Sequence, residues 1–194
     1  MSTFELYLQL GLTHIADFKG YDHILFIITL CAVYQIAHWK KILILVTAFT
    51  VGHSLTLVLA TLNLVRIPSD WVEFLIPVTI MLTAIGNLLQ KKTAYNLRHH
   101  IYKYSLALIF GLIHGLGFSN YLRSLLSSEE NLAWPIFSFN VGIEAGQLIV
   151  VAGFLLLGII FMNLLKTKPR EWNLFFSGAG FGISAILIVE RLPF

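Results

Sequence analysis

Several stretches of this chain are long enough to cross a lipid bilayer yet contain no Asp, Glu, Lys or Arg. They are residues 42–65, 74–90, 104–122 and 172–189, and residues 131–165 carry a single charge, Glu144. About 20 apolar residues in a helix match a hydrocarbon core roughly 30 Å thick. Backbone groups in that core must bond within their own segment, which leaves helices or closed barrels. Runs this long and continuous are helical, so the fold class is all-α. A first span over residues 22–37 brings the count to six helices in a polytopic transmembrane bundle. Residues 3–17 are apolar but short and broken by Glu5, Gln9 and Asp17. They are predicted to form a short N-terminal interfacial or re-entrant helix, with a seventh span as the alternative.

Composition agrees. Only 12% of the 194 residues are charged and 57% are hydrophobic, whereas a soluble domain carries about 25% charge. The apolar runs follow one another without a linker-like tract, so residues 1–194 are read as a single integral membrane domain. The net charge of +3 reflects loop lysines and arginines that set topology, and no nucleic-acid site is read from it. Cys31 stands alone, which excludes a disulfide framework and a CxxC metal motif.

Loop charge orients the bundle. Nine basic residues (Lys40, Lys41, Lys91, Lys92, Arg98, Lys103, Lys166, Lys168 and Arg170) follow spans one, three and five. Four (Lys19, Arg66, Arg123 and Arg191) fall on the opposite side. The positive-inside rule puts the first set in the cytoplasm. The chain is therefore expected in a bacterial inner (cytoplasmic) membrane, multi-pass, with both termini periplasmic. No basic region precedes the first apolar stretch, so no cleaved signal peptide is expected. Gly111/Gly115, Gly142/Gly146 and Gly178/Gly182 are GxxxG pairs that let helices approach closely in lipid. Such faces could also support a homo-oligomer. Phe49-x-x-x-His53 and Phe110-x-x-x-His114 are faintly alike, which hints at two three-helix halves.

Ionisable side chains inside a bilayer cost on the order of 2.5–3.5 kcal/mol each at mid-span and default to function. Here they converge. His53 lies 12 residues past Lys41 and His114 lies 11 past Lys103. Both are thus about 17–18 Å from the cytoplasmic end of their helices. Glu144, on a helix descending from outside, reaches a similar depth. Asp22 and His23 open the first span, with His14 and Asp17 just before them. Imidazoles and carboxylates without thiol suit a borderline divalent ion, Ni²⁺, Co²⁺ or Zn²⁺. The expected ligands are His14, Asp22, His23, His53, His114 and Glu144. Asn140 and Gln147 share a helical face with Glu144 and could hold its carboxylate. Asp17 and Ser54 are the other supporting residues. A break at Gly20 would leave Asp22 at a helix N-terminus, where it could also cap.

These residues sit in stretches that resemble the HupE/UreJ family of small bacterial membrane proteins. The matching stretches are His14 with Gly20-Tyr21-Asp22-His23-Ile24-Leu25-Phe26, then residues 47–57 around Gly52-His53-Ser54. They continue with residues 110–118 around His114 and residues 139–147 around Glu144. The resemblance implies a nickel or cobalt permease linked to hydrogenase or urease maturation. His14 with Asp22-His23 is also similar to the His-x4-Asp-His signature of nickel/cobalt transporters, with seven residues between His14 and Asp22 here. On this reading metal entering from outside meets His14, Asp17, Asp22 and His23, then rests on His53, His114 and Glu144. The rival expectation is an intramembrane zinc hydrolase at the outer leaflet, with Asp22 or Glu144 as general base.

Overall fold

The computed structural model describes residues 2–17, 20–90, 97–126 and 131–193, with the backbone alone for 97–99. Lys19, Lys91 and Lys92, and the side chain of Arg98, therefore lie outside the described residues. The described residues form eight α-helices and one short 3₁₀ turn, and no strand. The helices are α1 (Thr3–Ile15), α2 (Asp22–Cys31), α3 (Trp39–Thr61), α4 (Ser69–Leu89), α5 (Leu97–Gly117), α6 (Ser119–Leu126), α7 (Ala133–Asn163) and α8 (Pro169–Glu190).

Local chemistry fixes several ends. Ser2 and Glu5 form a reciprocal capping box at the start of α1. Pro169 occupies the first turn of α8, where its missing N–H costs nothing. Asn63 closes α3 in the left-handed conformation, φ 60°. Arg170 donates to the carbonyls of Leu88 and Gln90 and so caps the C-terminus of α4 with the N-terminus of α8. Those two helices are antiparallel.

The expected six spans are met in part among the described residues. Four helices, α3, α4, α7 and α8, are long and apolar enough to cross, and a fifth crossing results if α5 and α6, bent by 52° at Phe118, count as one. The expected first span shrinks to the ten residues of α2. At 1.5 Å per residue it is about 15 Å long, half a bilayer. The chain leaves helical geometry after Cys31, where no charge, glycine or proline marks the end. Nor does α1 lie apart from the bundle: its buried face, Tyr7, Gly11 and Ile15, packs along α7.

Two main-chain crossings organise the interior. A Cβ placed on Gly11 would overlap the Phe139 carbonyl and stand 3.0 Å from Ile143 N. One on Gly111 would overlap the Phe49 carbonyl and stand 3.0 Å from His53 N. The reciprocal glycines, Gly142 against Leu8 and Leu12 and Gly52 against Leu108 and Leu112, match to within a tenth of an ångström. Gly146 continues toward Ile15, and Gly115 toward His53 and Thr56. Residue numbers rise together in each pair, so α1 runs parallel to α7 and α3 parallel to α5.

The sequence repeats with the geometry. Gly11-Leu-Thr-His14 corresponds to Gly111-Leu-Ile-His114, and Phe49-Thr-Val-Gly52 to Phe139-Asn-Val-Gly142. The bonds Ser54–Asn140 and Thr47–Glu144 run in opposite residue order, so α3 and α7 are antiparallel. It follows that α1 opposes α5, α3 opposes α7 and α4 opposes α8. The halves are inverted copies, interleaved so that each crossing joins one helix from each half. The expected likeness of Phe49 and Phe110 gives way to this deeper match. Of the three GxxxG pairs, those in α5 and α7 make the crossings, while Gly178 and Gly182 of α8 face open space.

Candidate metal centre

Four helices deliver histidines to one place beside the crossings. His14 ends α1, His23 lies in the first turn of α2, His53 follows Gly52 in α3, and His114 lies one turn past Phe110 in α5. The ligand atoms of His14, His23 and His53 all lie within 4.8 Å of one another. Ring centroids are 4.6 Å apart for His14–His23, 5.7 Å for His23–His53 and 5.9 Å for His14–His53. His114 stands beside them, 5.3 Å from His23, with Nε2 2.9 Å from the Thr79 hydroxyl.

The ring nitrogens are short of partners. His14 Nε2, His23 Nε2, both nitrogens of His53 and His114 Nδ1 are buried and make no hydrogen bond. His53 and His114 are wholly buried. An orphaned buried polar atom costs about 1–3 kcal/mol, so a convergent set of them marks a place built for a ligand. Two nitrogens on one ion, each bonded at about 2.0–2.1 Å, stand at most about 4.2 Å apart. The three rings are close to that without a change of backbone.

Asp22 follows a different course from the capping role considered for it. The N-cap position is Tyr21 and no side chain caps there. One carboxylate oxygen of Asp22 accepts from Arg191 at 2.9 Å, while the other is buried without a partner. Asp22 thus sets a negative charge beside His23, held by the end of α8. A cleft of about 270 Å³ adjoins the cluster, lined by His14, His23 and His114, by the carboxylates of Asp17, Asp22 and Glu73, and by Arg191.

Aromatic rings flank the cluster on both sides along the bundle axis. Phe26, Phe49 and Phe110 lie one turn from His23, His53 and His114 in the direction of the lysine-rich end. Phe26 and Phe49 centroids are 5.0 and 5.2 Å from His114. Phe118 and Phe139 stack in parallel, 5.1 Å apart, toward the other end, with Phe118 4.1 Å from His14. Phe49 and Phe139 are corresponding residues of the two halves.

The expected set therefore divides. His14, expected at the entry, joins His23 and His53, and the two-level scheme becomes one level. Glu144 is not in this group. Its carboxylate accepts from the Thr47 hydroxyl at 2.7 Å. The amides expected to hold Glu144 serve α3 instead. Ser54 donates to Asn140 at 2.6 Å and Thr50 to Gln147 at 2.9 Å. A shared helical face put these three residues in line, but α3, crossing antiparallel, supplies a hydroxyl to each. Glu73, Arg191 and Thr79 join the site from helix ends and a neighbouring helix. The repeated Gly-Leu-x-His was the sequence signal that could have raised His14 to the level of His114; for Glu73 and Arg191 there was none.

A multi-pass helical membrane protein with a buried histidine cluster is the class this defines. A family model described as HupE / UreJ protein matches residues 1–190, and the chain belongs to that family. Neither a curated protein nor a solved structure matches it.

Proposed function

We propose that the protein is a transition-metal permease for nickel or cobalt, with zinc within reach of the same ligands. The observation that carries this is the convergence of His14, His23 and His53, with partnerless nitrogens, beside a cleft that His14 and His23 line together with Asp17, Asp22 and Glu73. Asp17, Asp22 and Glu73 would draw a divalent cation inward, and the imidazoles would replace its water. His114 is the fourth candidate ligand, released from Thr79 as it turns.

The inverted halves support transport. Repeats of opposite direction with a site at their interface and helices broken beside it are the architecture of alternating access. Here α1 and α2 together would make one crossing, with the end of α1 at Ile15 and the start of α2 at Asp22 next to the cluster. With it the bundle crosses six times and both termini fall on one side. The positive-inside rule makes that side the periplasm and the membrane the inner one. Phe118 with Phe139, and Phe26 with Phe49 and Phe110, would serve as outer and inner gates. Beyond the inner gate lies a second cavity of about 160 Å³, lined by Thr83, Asn87 and Lys103. The open glycine face of α8 is where a homo-oligomer would form.

The test is uptake of radioactive nickel or cobalt by proteoliposomes, together with the metal content of the purified protein. Wild type should take up metal, and His53→Ala should lower affinity by about 100-fold or more, on the scale of losses seen when a metal site is disturbed. Full metal occupancy with no flux in wild type would overturn transport and favour chemistry on a bound water.

A further inference from the structure

The end of the bundle that carries the acidic cleft holds a second, larger cavity of opposite character. It has a volume of about 460 Å³ and lies between the α3–α4 connection and the bend from α5 into α6. Ala60, Val65 and Leu116 give it apolar walls, and its charged groups are Arg66 and Arg123. We infer that this cavity binds the phosphodiester headgroup of an anionic membrane phospholipid between Arg66 and Arg123.

Arg123 is held in place without being neutralised. Its two terminal nitrogens donate to the amide oxygens of Asn63 and Asn120, both uncharged. Asn63 is fixed in turn by its left-handed backbone at the end of α3. Neither arginine is paired with a carboxylate of a described residue. Two guanidinium groups facing one cavity repel each other unless an anion lies between them. Phosphate oxygens match their fork, in charge-assisted bonds about twice as strong as neutral ones. The same two charges repel a divalent cation, so the cavity stands apart from the metal route and the inference does not rest on it.

The surroundings choose a lipid over free phosphate. Leu62, Leu64 and Ile67, on the connection that forms the rim, are exposed by 47%, 69% and 43%. In a membrane protein such residues meet acyl chains. A headgroup between the arginines would place its chains along them.

The purified protein in detergent provides the test, titrated with phosphatidylglycerol, phosphatidylcholine or inorganic phosphate. Bound lipid is counted by native mass spectrometry and the thermal midpoint is recorded. Wild type should bind phosphatidylglycerol at least about tenfold more tightly than phosphatidylcholine, and its midpoint should rise with the anionic lipid. Arg66→Gln should cost about tenfold in phosphatidylglycerol affinity, or about 1.4 kcal/mol, with the lipid-free midpoint unchanged because Arg66 holds no other described residue. Arg123→Gln should weaken binding too, but it also frees Asn63 and Asn120, so Arg66→Gln is the deciding variant. Unchanged phosphatidylglycerol affinity in Arg66→Gln, or equal binding of both lipids by wild type, would overturn the inference. An equal midpoint rise with millimolar inorganic phosphate would overturn the lipid assignment.

Discussion

The two glycine crossings are near copies in backbone and differ in the residues just after each glycine. In the α3–α5 crossing, Gly52 is followed by His53 and Ser54, and Gly111 by His114 at the third position. In the α1–α7 crossing, Gly142 is followed by Ile143 and Glu144, and Gly11 by His14. The contacts around the glycines agree to within a tenth of an ångström. The chemistry does not: one crossing supplies two imidazoles, the other supplies one imidazole, a wholly buried isoleucine and a carboxylate turned to Thr47. The repeated part is therefore architecture, set by how closely two backbones must approach. The unrepeated part decides the ligands. A duplicated frame can carry a site that is not duplicated, because side chains at equal positions need share only their volume and helical direction.

The strongest way to break this comparison is to close the crossings. Gly52→Ala places a methyl group against the Leu108 carbonyl, and Gly11→Ala does the same against Phe139; neither neighbour is a flexible side chain. Overpacking of this kind costs typically 1–3 kcal/mol and more where backbone must move. Each substitution should lower stability by about 3 kcal/mol, read as reversible unfolding in mixed micelles. A large loss at Gly52 with none at Gly11 would show that the crossings are not equivalent.

A smaller effect sharpens the chemical side. Glu144→Gln keeps the bond from Thr47 and removes the charge. Metal content should stay at the wild-type level and stability should change by about 1 kcal/mol or less. Loss of metal in this variant, measured by elemental analysis, would bring Glu144 into the coordination sphere and undo the asymmetry drawn between the two crossings.

The smallest effect is a control on the glycines themselves. Gly178→Ala and Gly182→Ala in α8 meet nothing within 4 Å. They should leave the monomer unchanged or more stable by about 0.5–1 kcal/mol, since alanine is the better helix former. A destabilisation like that at Gly52 would show that α8 packs tightly against another chain.

Residue order alone determined that this chain is an all-helical membrane protein. Apolar runs about as long as a bilayer is thick have no other low-energy fate, and α3, α4, α5, α7 and α8 lie where those runs fall. Histidine chemistry was legible for the same reason, since polar groups in apolar spans are too costly to be incidental. His23, His53 and His114 stand out on that ground, while His14, in a helix read as interfacial, does not. Helix length was not legible for the first span, because the residues after Cys31 carry no charge, glycine or proline before Lys40 to mark its end. Which polar groups meet was also beyond the sequence. Glu144 shares a face with Asn140 and Gln147, yet all three are claimed by hydroxyls of α3, and Arg191 reaches Asp22 from the far end of the chain. Helical periodicity fixes which side chains share a face of one helix. The crossing angle and register of its neighbours decide what that face meets, and here main-chain contact at four glycines sets both.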